Sequence, residues 1–371
     1  MTGILILTNS GDVHAFAVHE ALRRKGVDST LWLTSDYPTI ARETIAFRGR
    51  ASRVSIRGGN LDLDDVRADV VWNRRPSYVV DDALLHPADR QFADLQCKAH
   101  RDALFALLRR TGFWVNDRDA AVRANHKPLQ HALAVECGLE MPDTLYTNDP
   151  AEIRAFVREH GGRIVFKPFQ VWPWTDGAKN FMTPTTVIGE EHLDDETRLG
   201  LTPAIYQELV PKAYELRVTA IGERLFAAKL HSQQTEHGRV DWRRAQELMT
   251  AEETKLPGEV EEKCRELLAR LGLVFGALDL IVTPDGRYVF LEVNQMGQFL
   301  FVERWTGMPL LDAFAEMLRQ GSPRYALSAA RAVGYDDVID RVIALREELP
   351  LTHAAMKDRV WDERPERALQ S

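Results

Sequence analysis

Along the first 115 residues, short apolar runs alternate with amphipathic stretches. Residues 4–8 read as a buried strand, 13–25 as an amphipathic helix and 29–34 as a second strand. Residues 54–56 read as a short edge strand and 70–73 as a further core strand, and a long helical stretch over 87–110 precedes a short strand at 113–115. This βαβ rhythm predicts a mostly parallel sheet. The turn Asn9-Ser10-Gly11-Asp12 closes the first strand and opens a helix, the place where open α/β sheets bind ligands, but it lacks a GxGxxG signature.

After Asn116 the pattern changes. A helix is predicted from Lys127-Pro128, with proline in a tolerated first-turn position, to a glycine stop at Gly138. A turn at 141–144 leads into a strand, then come a helix over 150–160 and a strand over 163–166 ending in Lys167-Pro168. From Ala204 onward antiparallel strands are expected at 204–210, 216–221 and 225–231. A helix over 258–271 leads to strands at 276–282 and 288–293, joined by the hairpin Thr283-Pro284-Asp285-Gly286. A helix over 310–319 follows, and the last fifty or so residues read as helical and charged, with no chemistry of their own.

Size and composition narrow the classes. A chain of 371 residues exceeds what one hydrophobic core usually organises, so two or three subdomains are expected. With 45% hydrophobic and 27% charged residues it is an ordinary globular composition. No apolar run reaches the roughly 18 residues of a membrane span, and Met1-Thr2-Gly3 before Ile4 lacks the basic region of a signal peptide. Cys97, Cys137 and Cys264 are far apart, read as small core residues and fit a reducing cytoplasm. A net charge of -8 argues against nucleic-acid binding. The basic residues are overwhelmingly arginine, so each lysine merits inspection.

Three groups of residues carry chemistry. Asp279 lies on one strand and Glu292 and Asn294 on the next, and the hairpin brings them together. Residues two apart on a strand share a face, and acidic groups on otherwise apolar strands are unfavourable unless paired or bound to a cation. Two carboxylates and an amide oxygen form a hard-oxygen set suited to Mg²⁺; the alternative is carboxylates paired with arginine. Lys167 at a strand end and Lys127 at a helix start are placed to neutralise phosphate oxygens. The segment Tyr206-Gln207-Glu208-Leu209-Val210, broken by Pro211 and followed by Glu215, offers backbone groups to an adenine edge and a carboxylate to ribose hydroxyls.

In this order along the chain, these residues resemble the ATP-grasp superfamily over roughly residues 116–320. The resemblance implies an ATP-grasp fold of α/β and α+β character with an N-terminal Rossmann-like pre-ATP-grasp domain. The expected division is 1–115 pre-ATP-grasp, 116–203 central subdomain, 204–322 C-terminal subdomain and 323–371 helical extension. The resemblance implies ATP contacts at Lys127, Lys167, Gln207, Glu208, Leu209, Val210, Glu215 and Leu291, and Mg²⁺ ligands Asp279, Glu292 and Asn294. Further matches at Val71-Trp72-Asn73-Arg74-Arg75-Pro76, Tyr214-Glu215-Leu216-Arg217-Val218, residues 228–233, Val240-Asp241-Trp242-Arg243 and residues 291–298 resemble the graspetide synthetases of microviridin type. The arginine that some ATP-grasp ligases carry two residues before the first metal acid is Ala277 here, so Arg217 or Arg243 is expected to stabilise the transferred phosphate.

That resemblance implies a ligase that activates Asp or Glu side chains of a ribosomal precursor peptide as acyl phosphates and closes ester or amide crosslinks. A RimK-like ligase adding amino acids to a peptide or small acid is the alternative, and a nucleotide-binding regulator without chemistry is a third. Arg74 and Arg75 can hold substrate carboxylates or make internal salt bridges at a domain interface. Asp241 can orient Arg243 or act as base. Segments 172–179 and 233–239 are candidate lids, His231 and His237 read as structural more readily than catalytic, and Trp172, Trp174 and Trp242 serve packing or peptide contact. A homodimer is an expectation from the resemblance alone.

Overall fold

The computed structural model describes residues 3–81, 85–110, 112–170, 174–176, 179–181, 183, 185–234, 237–240, 242–243 and 249–348. Its N-terminal part is a four-stranded parallel sheet in the order Ser29–Leu33, Ile4–Thr8, Val70–Asn73, Phe113–Val115. Strand Ile4–Thr8 is buried on both faces, which explains its unbroken apolar run. Ile4 and Ile6 join a core with helices Val13–Arg24 and Leu310–Gln320, whereas Leu5 and Leu7 pack with Leu104 and Phe105 of helix Arg90–Leu108.

The short edge strand expected at 54–56 is instead the buried centre of a separate antiparallel sheet, Arg42–Arg48, Ala51–Gly58 and Leu61–Leu63. Its flanking residues, Ala51 to Arg53 and Arg57 to Gly58, are solvent-facing, so only Val54 and Ile56 carry an apolar-core signal.

Two larger antiparallel sheets follow, besides the two-stranded antiparallel pair Trp174–Asp176 and Lys179–Phe181. The first has the order Thr186–Gly189, Arg163–Lys167, Ala204–Glu208, Thr144–Thr147 and is covered by helix Pro150–Glu159 through Ile153 and Val157. The second has the order Ala251–Thr254, Arg224–Leu230, Tyr214–Ile221, Phe275–Val282, Tyr288–Asn294. Leu216, Val218, Leu278, Leu280 and Phe290 bury one face of this second sheet against Cys264, Leu267 and Leu271 of helix Gly258–Leu271.

Helix Lys127–Glu136 packs against that helix and strand Tyr288–Asn294, so its first residue stands beside the second sheet. The described part of the C-terminal extension is not a loose tail: helix Tyr335–Glu347 packs on helix Val13–Arg24 of the N-terminal part. Among the described residues no helix is long and apolar enough to cross a membrane, and Cys97, Cys137 and Cys264 are buried and unpaired with one another.

Candidate active site

Strand register sets the site. On strands Phe275–Val282 and Tyr288–Asn294, Asp279 lies opposite Glu292, and Ala277 opposite Asn294. The register shifts between Asp279 and Leu280, which pairs with Phe290, so Leu291 is an extra residue. A bulge of this kind lets neighbouring residues share a face. Phe290 therefore points into the core with Leu280, while Leu291 and Glu292 both line the cleft between the two antiparallel sheets.

Strand Tyr288–Asn294 lies at the sheet edge; Glu140 O accepts from Phe290 N, and side chains of helix Lys127–Glu136 satisfy further backbone groups at Leu291 and Val293. Gln130 donates to Val293 O and accepts from Val293 N, both at 2.9 Å, and His131 Nε2 lies 3.0 Å from Leu291 O. His131 Nδ1 lies 2.7 Å from the Tyr146 hydroxyl; burial lowers the His131 pKa, consistent with a neutral ring that donates from Nε2. These bonds dock the helix so that Lys127 Nζ meets Glu292 Oε2 at 2.9 Å. Sequence reasoning missed Gln130 and His131; their only signal is polarity on the buried face of an otherwise apolar helix.

The cleft concentrates charge. Lys127, Lys167, Lys212 and Arg243 line it together with Glu215, Asp279 and Glu292. Burial opposes ionisation of Glu292, but Lys127, Arg243 and Lys167 overcome it and hold its carboxyl at about 2. Arg243 is half exposed, with Nη1 at 3.8 Å from Glu292 Oε1. Burial raises the Asp279 carboxyl despite Arg217, whose Nη1 lies 2.9 and 3.0 Å from its two oxygens.

Arg217 Nη2 also donates to Gln298 O at 3.2 Å. Burial, then repulsion from Lys127, Arg243 and Lys212, lowers Lys167 to about 8 against the pull of Glu292. Lys167 Nζ donates to Gln207 Oε1 at 2.6 Å, and Gln207 Nε2 donates to Thr144 Oγ1 at 2.9 Å. The Gln207 side chain thus steers Lys167.

The remaining expected contacts spread along the same cleft. Glu208 Oε2 accepts from Asp143 N at 3.3 Å, and Val210 N donates to Glu208 O at 3.1 Å. Val210, Ile281 and Leu291 form an apolar patch there, and Leu209 lines its rim. Glu215 is buried, its pKa raised by that burial, with Oε1 at 3.0 Å from Lys212 Nζ. Lys212, which sequence reasoning also missed, further donates to Val240 O. Trp242 is buried against Phe301 and Trp305, which is core packing. His231 lies 3.6 Å from Glu252.

Asp241, Trp172 and parts of both candidate lids lie outside the described residues, as do the side chains of Trp174 and His237. Arg74 departs from its substrate reading. It is fully buried, its Nε bonds Asp12 Oδ2 at 2.8 Å and its Nη1 donates to Met296 O, which is the interface alternative. Arg75 keeps partial exposure, with Nε 3.7 Å from Asp12.

The donor set fits a hard divalent cation. Asp279 and Glu292 face each other across the ladder, each already paired with a side-chain cation, Arg217 on Asp279 and Lys127 on Glu292, so the basic-residue pairing expected as the alternative is present and the carboxylate oxygens are candidate, shared ligands for a metal. Asn294 Oδ1 accepts from Met296 N at 2.9 Å, and an amide oxygen retains a second acceptor direction. Among the described residues no three His, Cys, Asp or Glu side chains converge, so the amide is needed to complete the set.

An antiparallel two-sheet clamp holding carboxylates and lysines in the cleft between its sheets, with the exposed Asn294 beyond the cleft lining, is an ATP-grasp architecture. The chain belongs to the family of ATP-grasp macrocyclases and ligases of ribosomal peptides. It is 31% identical to macrocyclase MdnC from Microcystis aeruginosa, solved with precursor peptide MdnA, with a TM-score of 0.77 over 86% of this chain and 100% of that one. Macrocyclase MdnB of the same organism is 29% identical with a TM-score of 0.71, over 86% of this chain and 99% of that one.

A Chryseobacterium gregarium RiPP-associated ATP-grasp ligase, solved with ADP and a leader and core peptide, shares the fold at 24% identity and a TM-score of 0.78, over 88% and 100% of the two chains. The vancomycin C-type resistance protein VanC1 of Enterococcus gallinarum is 27% identical over 62% of this chain, and the match spans 64% of that protein's length. No family model matches the chain.

Proposed function

We propose that this chain is an ADP-forming ligase that activates Asp or Glu side-chain carboxylates of a ribosomal precursor peptide and closes intramolecular ester or amide crosslinks. The observation that carries the reading is the Asp279/Glu292 pair facing Lys127, Lys167 and Arg243 in one cleft, within a chain 31% identical to a peptide macrocyclase. The cleft residues belong to the proposed subdomains 116–203 and 204–322, and of the proposed extension the described helix Tyr335–Glu347 packs on helix Val13–Arg24 of the proposed 1–115 domain.

ATP is the phosphoryl donor. The apolar Val210/Ile281/Leu291 patch is assigned to adenine, the 208–210 segment beside it to the adenine edge, and Glu215 to the ribose. Lys127 and Lys167 neutralise phosphate oxygens as point charges. Asp279, Glu292 and Asn294 would hold Mg²⁺, which supplies charge neutralisation on the phosphates when bound. Arg217 orients Asp279, and half-exposed Arg243 is placed to stabilise charge on the transferred phosphoryl group.

A peptide carboxylate oxygen attacks the γ-phosphorus, the bond to the ADP oxygen breaks, and an acyl phosphate forms. A peptide hydroxyl or amine then attacks the acyl carbon, loses its proton and expels phosphate, so each ring removes one water overall. Asp241 is assigned to orient Arg243 or accept that proton, and Arg75 to hold an acidic side chain of the peptide. The partner assigned to it is a leader-bearing peptide with Asp/Glu and Thr/Ser or Lys in its core, and a homodimer is part of the proposal on resemblance alone.

The test is ADP formation with Mg²⁺, with and without an acidic, Thr/Ser-rich precursor peptide encoded beside the gene. The reading expects peptide-dependent ADP release that Glu292→Gln abolishes. Equal release without peptide, or full activity in Glu292→Gln, overturns it.

A further inference from the structure

The turn that follows the metal-binding strand is held from outside the ATP-binding sheets. Residues 295–300 leave strand Tyr288–Asn294 and enter helix Leu300–Thr306. Three buried side chains from the N-terminal part and its boundary grip this turn. Arg74, 0% exposed, donates through Nη1 to Met296 O and, at 3.4 Å, to Gly297 O. His14 Nε2 accepts from Phe299 N at 3.0 Å and Leu300 N at 3.2 Å. Asn116 Nδ2 donates to Gln295 O at 3.0 Å, while its Oδ1 accepts from Phe275 N at 2.9 Å.

Asp12 ties the first two together. Its Oδ2 takes Arg74 Nε at 2.8 Å, and its Oδ1 caps the helix by accepting from His14 N at 3.0 Å. A ring nitrogen that accepts two N–H bonds must present its lone pair, so His14 carries its proton on Nδ1, which lies 3.8 Å from Asp12 Oδ1. Burial, reinforced by Arg74, keeps this ring neutral.

On its other side the turn meets the metal set. Gln298 O accepts from Arg217 Nη2 at 3.2 Å, and Arg217 Nη1 holds both oxygens of Asp279. Gly297 is seated so closely that a Cβ there would fall 2.3 Å from Ala277 Cβ and 3.1 Å from Arg217 Nη2. A displacement of the turn therefore moves the carbonyl that fixes Arg217, and with it Asp279. Asn294 is coupled the same way, because its Oδ1 accepts from Met296 N, next to the carbonyl held by Arg74.

We propose that Arg74 and His14, joined by Asp12, are positioning residues that hold the 295–300 turn and thereby set the metal-ligating geometry of Asp279 and Asn294. The proposal rests on the ATP-grasp reading above and deepens it: the N-terminal part does not only flank the substrate but completes the metal site from behind. Partners that orient metal ligands typically change metal affinity by on the order of tenfold or more.

The test titrates the full chain with ADP in EDTA and with ADP in Mg²⁺, and reads the thermal midpoint alongside. Arg74→Lys keeps the charge beside Asp12, but a single ammonium cannot reproduce the guanidinium fork to both Asp12 and the turn. It is expected to lower the Mg²⁺-dependent gain in ADP affinity about tenfold, with metal-free ADP binding close to wild type and a lowered midpoint that still shows a folded chain at the assay temperature. His14→Ala should do the same, and His14→Gln, which restores an acceptor, should recover most of the gain. If Arg74→Lys does not fold, the double variant Asp12→Asn/Arg74→Gln removes both charges and carries the same expectation.

A gain that survives in both Arg74→Lys and His14→Ala overturns the proposal alone. Equal loss of metal-free and metal-dependent binding also overturns it, because that marks general disruption. Absence of any Mg²⁺-dependent gain in the wild type overturns the ligase reading and this proposal together.

Discussion

Lys167 places function and stability in opposition. Its ammonium lies in the cleft beside Lys127, Lys212 and Arg243, and burial with these neighbours lowers it from 10.5 to about 8. A shift of that size corresponds to about 3 kcal/mol against the charged form in the folded chain. In Lys167→Met this penalty disappears. Against it stand about 1 kcal/mol for the unpaired Gln207 Oε1 and the loss of one of the three cations that hold Glu292 charged. The variant without nucleotide should therefore be more stable at pH 7 by about 1–2 kcal/mol, roughly a few degrees of melting temperature.

The pH dependence has a definite sign. Between about pH 8 and 10.5 the unfolded chain binds a proton at this lysine that the folded chain does not, so wild-type stability rises with pH there. The advantage of Lys167→Met should accordingly be full below about pH 8 and shrink towards pH 10.5. Nucleotide affinity should move the other way and fall by at least tenfold at pH 7, because a phosphate-neutralising cation is gone. Calorimetric melting at pH 7 and pH 10, with ADP titration of both proteins, checks this. A lower melting temperature with unchanged ADP affinity would refute the assignment of Lys167 as a strained, phosphate-directed cation.

Other perturbations separate the remaining roles. Glu292→Gln should abolish ADP formation while leaving the fold intact by circular dichroism, since Lys127 and Arg243 keep an oxygen acceptor but lose the charge that pairs with the metal. Gly297→Ala should lower the melting temperature and reduce turnover at least tenfold, because its Cβ would overlap Ala277; unchanged turnover would show that the turn is not rigidly coupled to Arg217. Arg75→Gln should raise the peptide KM about tenfold with little change in kcat, as expected for a partly exposed guanidinium assigned to a substrate carboxylate. A change in kcat alone would place Arg75 with Arg74 in the interface around Asp12.

What the sequence made legible followed periodicity and charge on apolar strands. The parallel sheet could be read from Ile4–Thr8 because burial on both faces leaves an uninterrupted apolar run. Asp279, Glu292 and Asn294 stood out because carboxylates are rare between residues such as Leu278 and Leu280. Simple alternation, however, would turn Leu291 away from Glu292, and only the bulge after Asp279 lets both face the cleft.

Gln130 and His131 show only as polar positions on an apolar helix face, because their partners are backbone atoms of a strand about 160 residues away. Arg74 could be read equally as a substrate contact or an interface ion pair, since both readings need only a guanidinium at a strand end. The structure decides by enclosing it against Asp12 and Met296. The three-stranded sheet around 42–63 is understated in the sequence because most of its strand residues are exposed and only isolated apolar positions such as Ile45, Val54, Ile56, Leu61 and Leu63 reach the core.

Crosslinking itself is tested most directly by the mass of the peptide product. Incubation of the full chain with ATP, Mg²⁺ and the precursor peptide should yield a peptide lighter by one water mass for each ring, with ADP formed in step. A product heavier by an amino-acid residue, or an unchanged peptide mass despite ADP formation, would contradict the macrocyclase account.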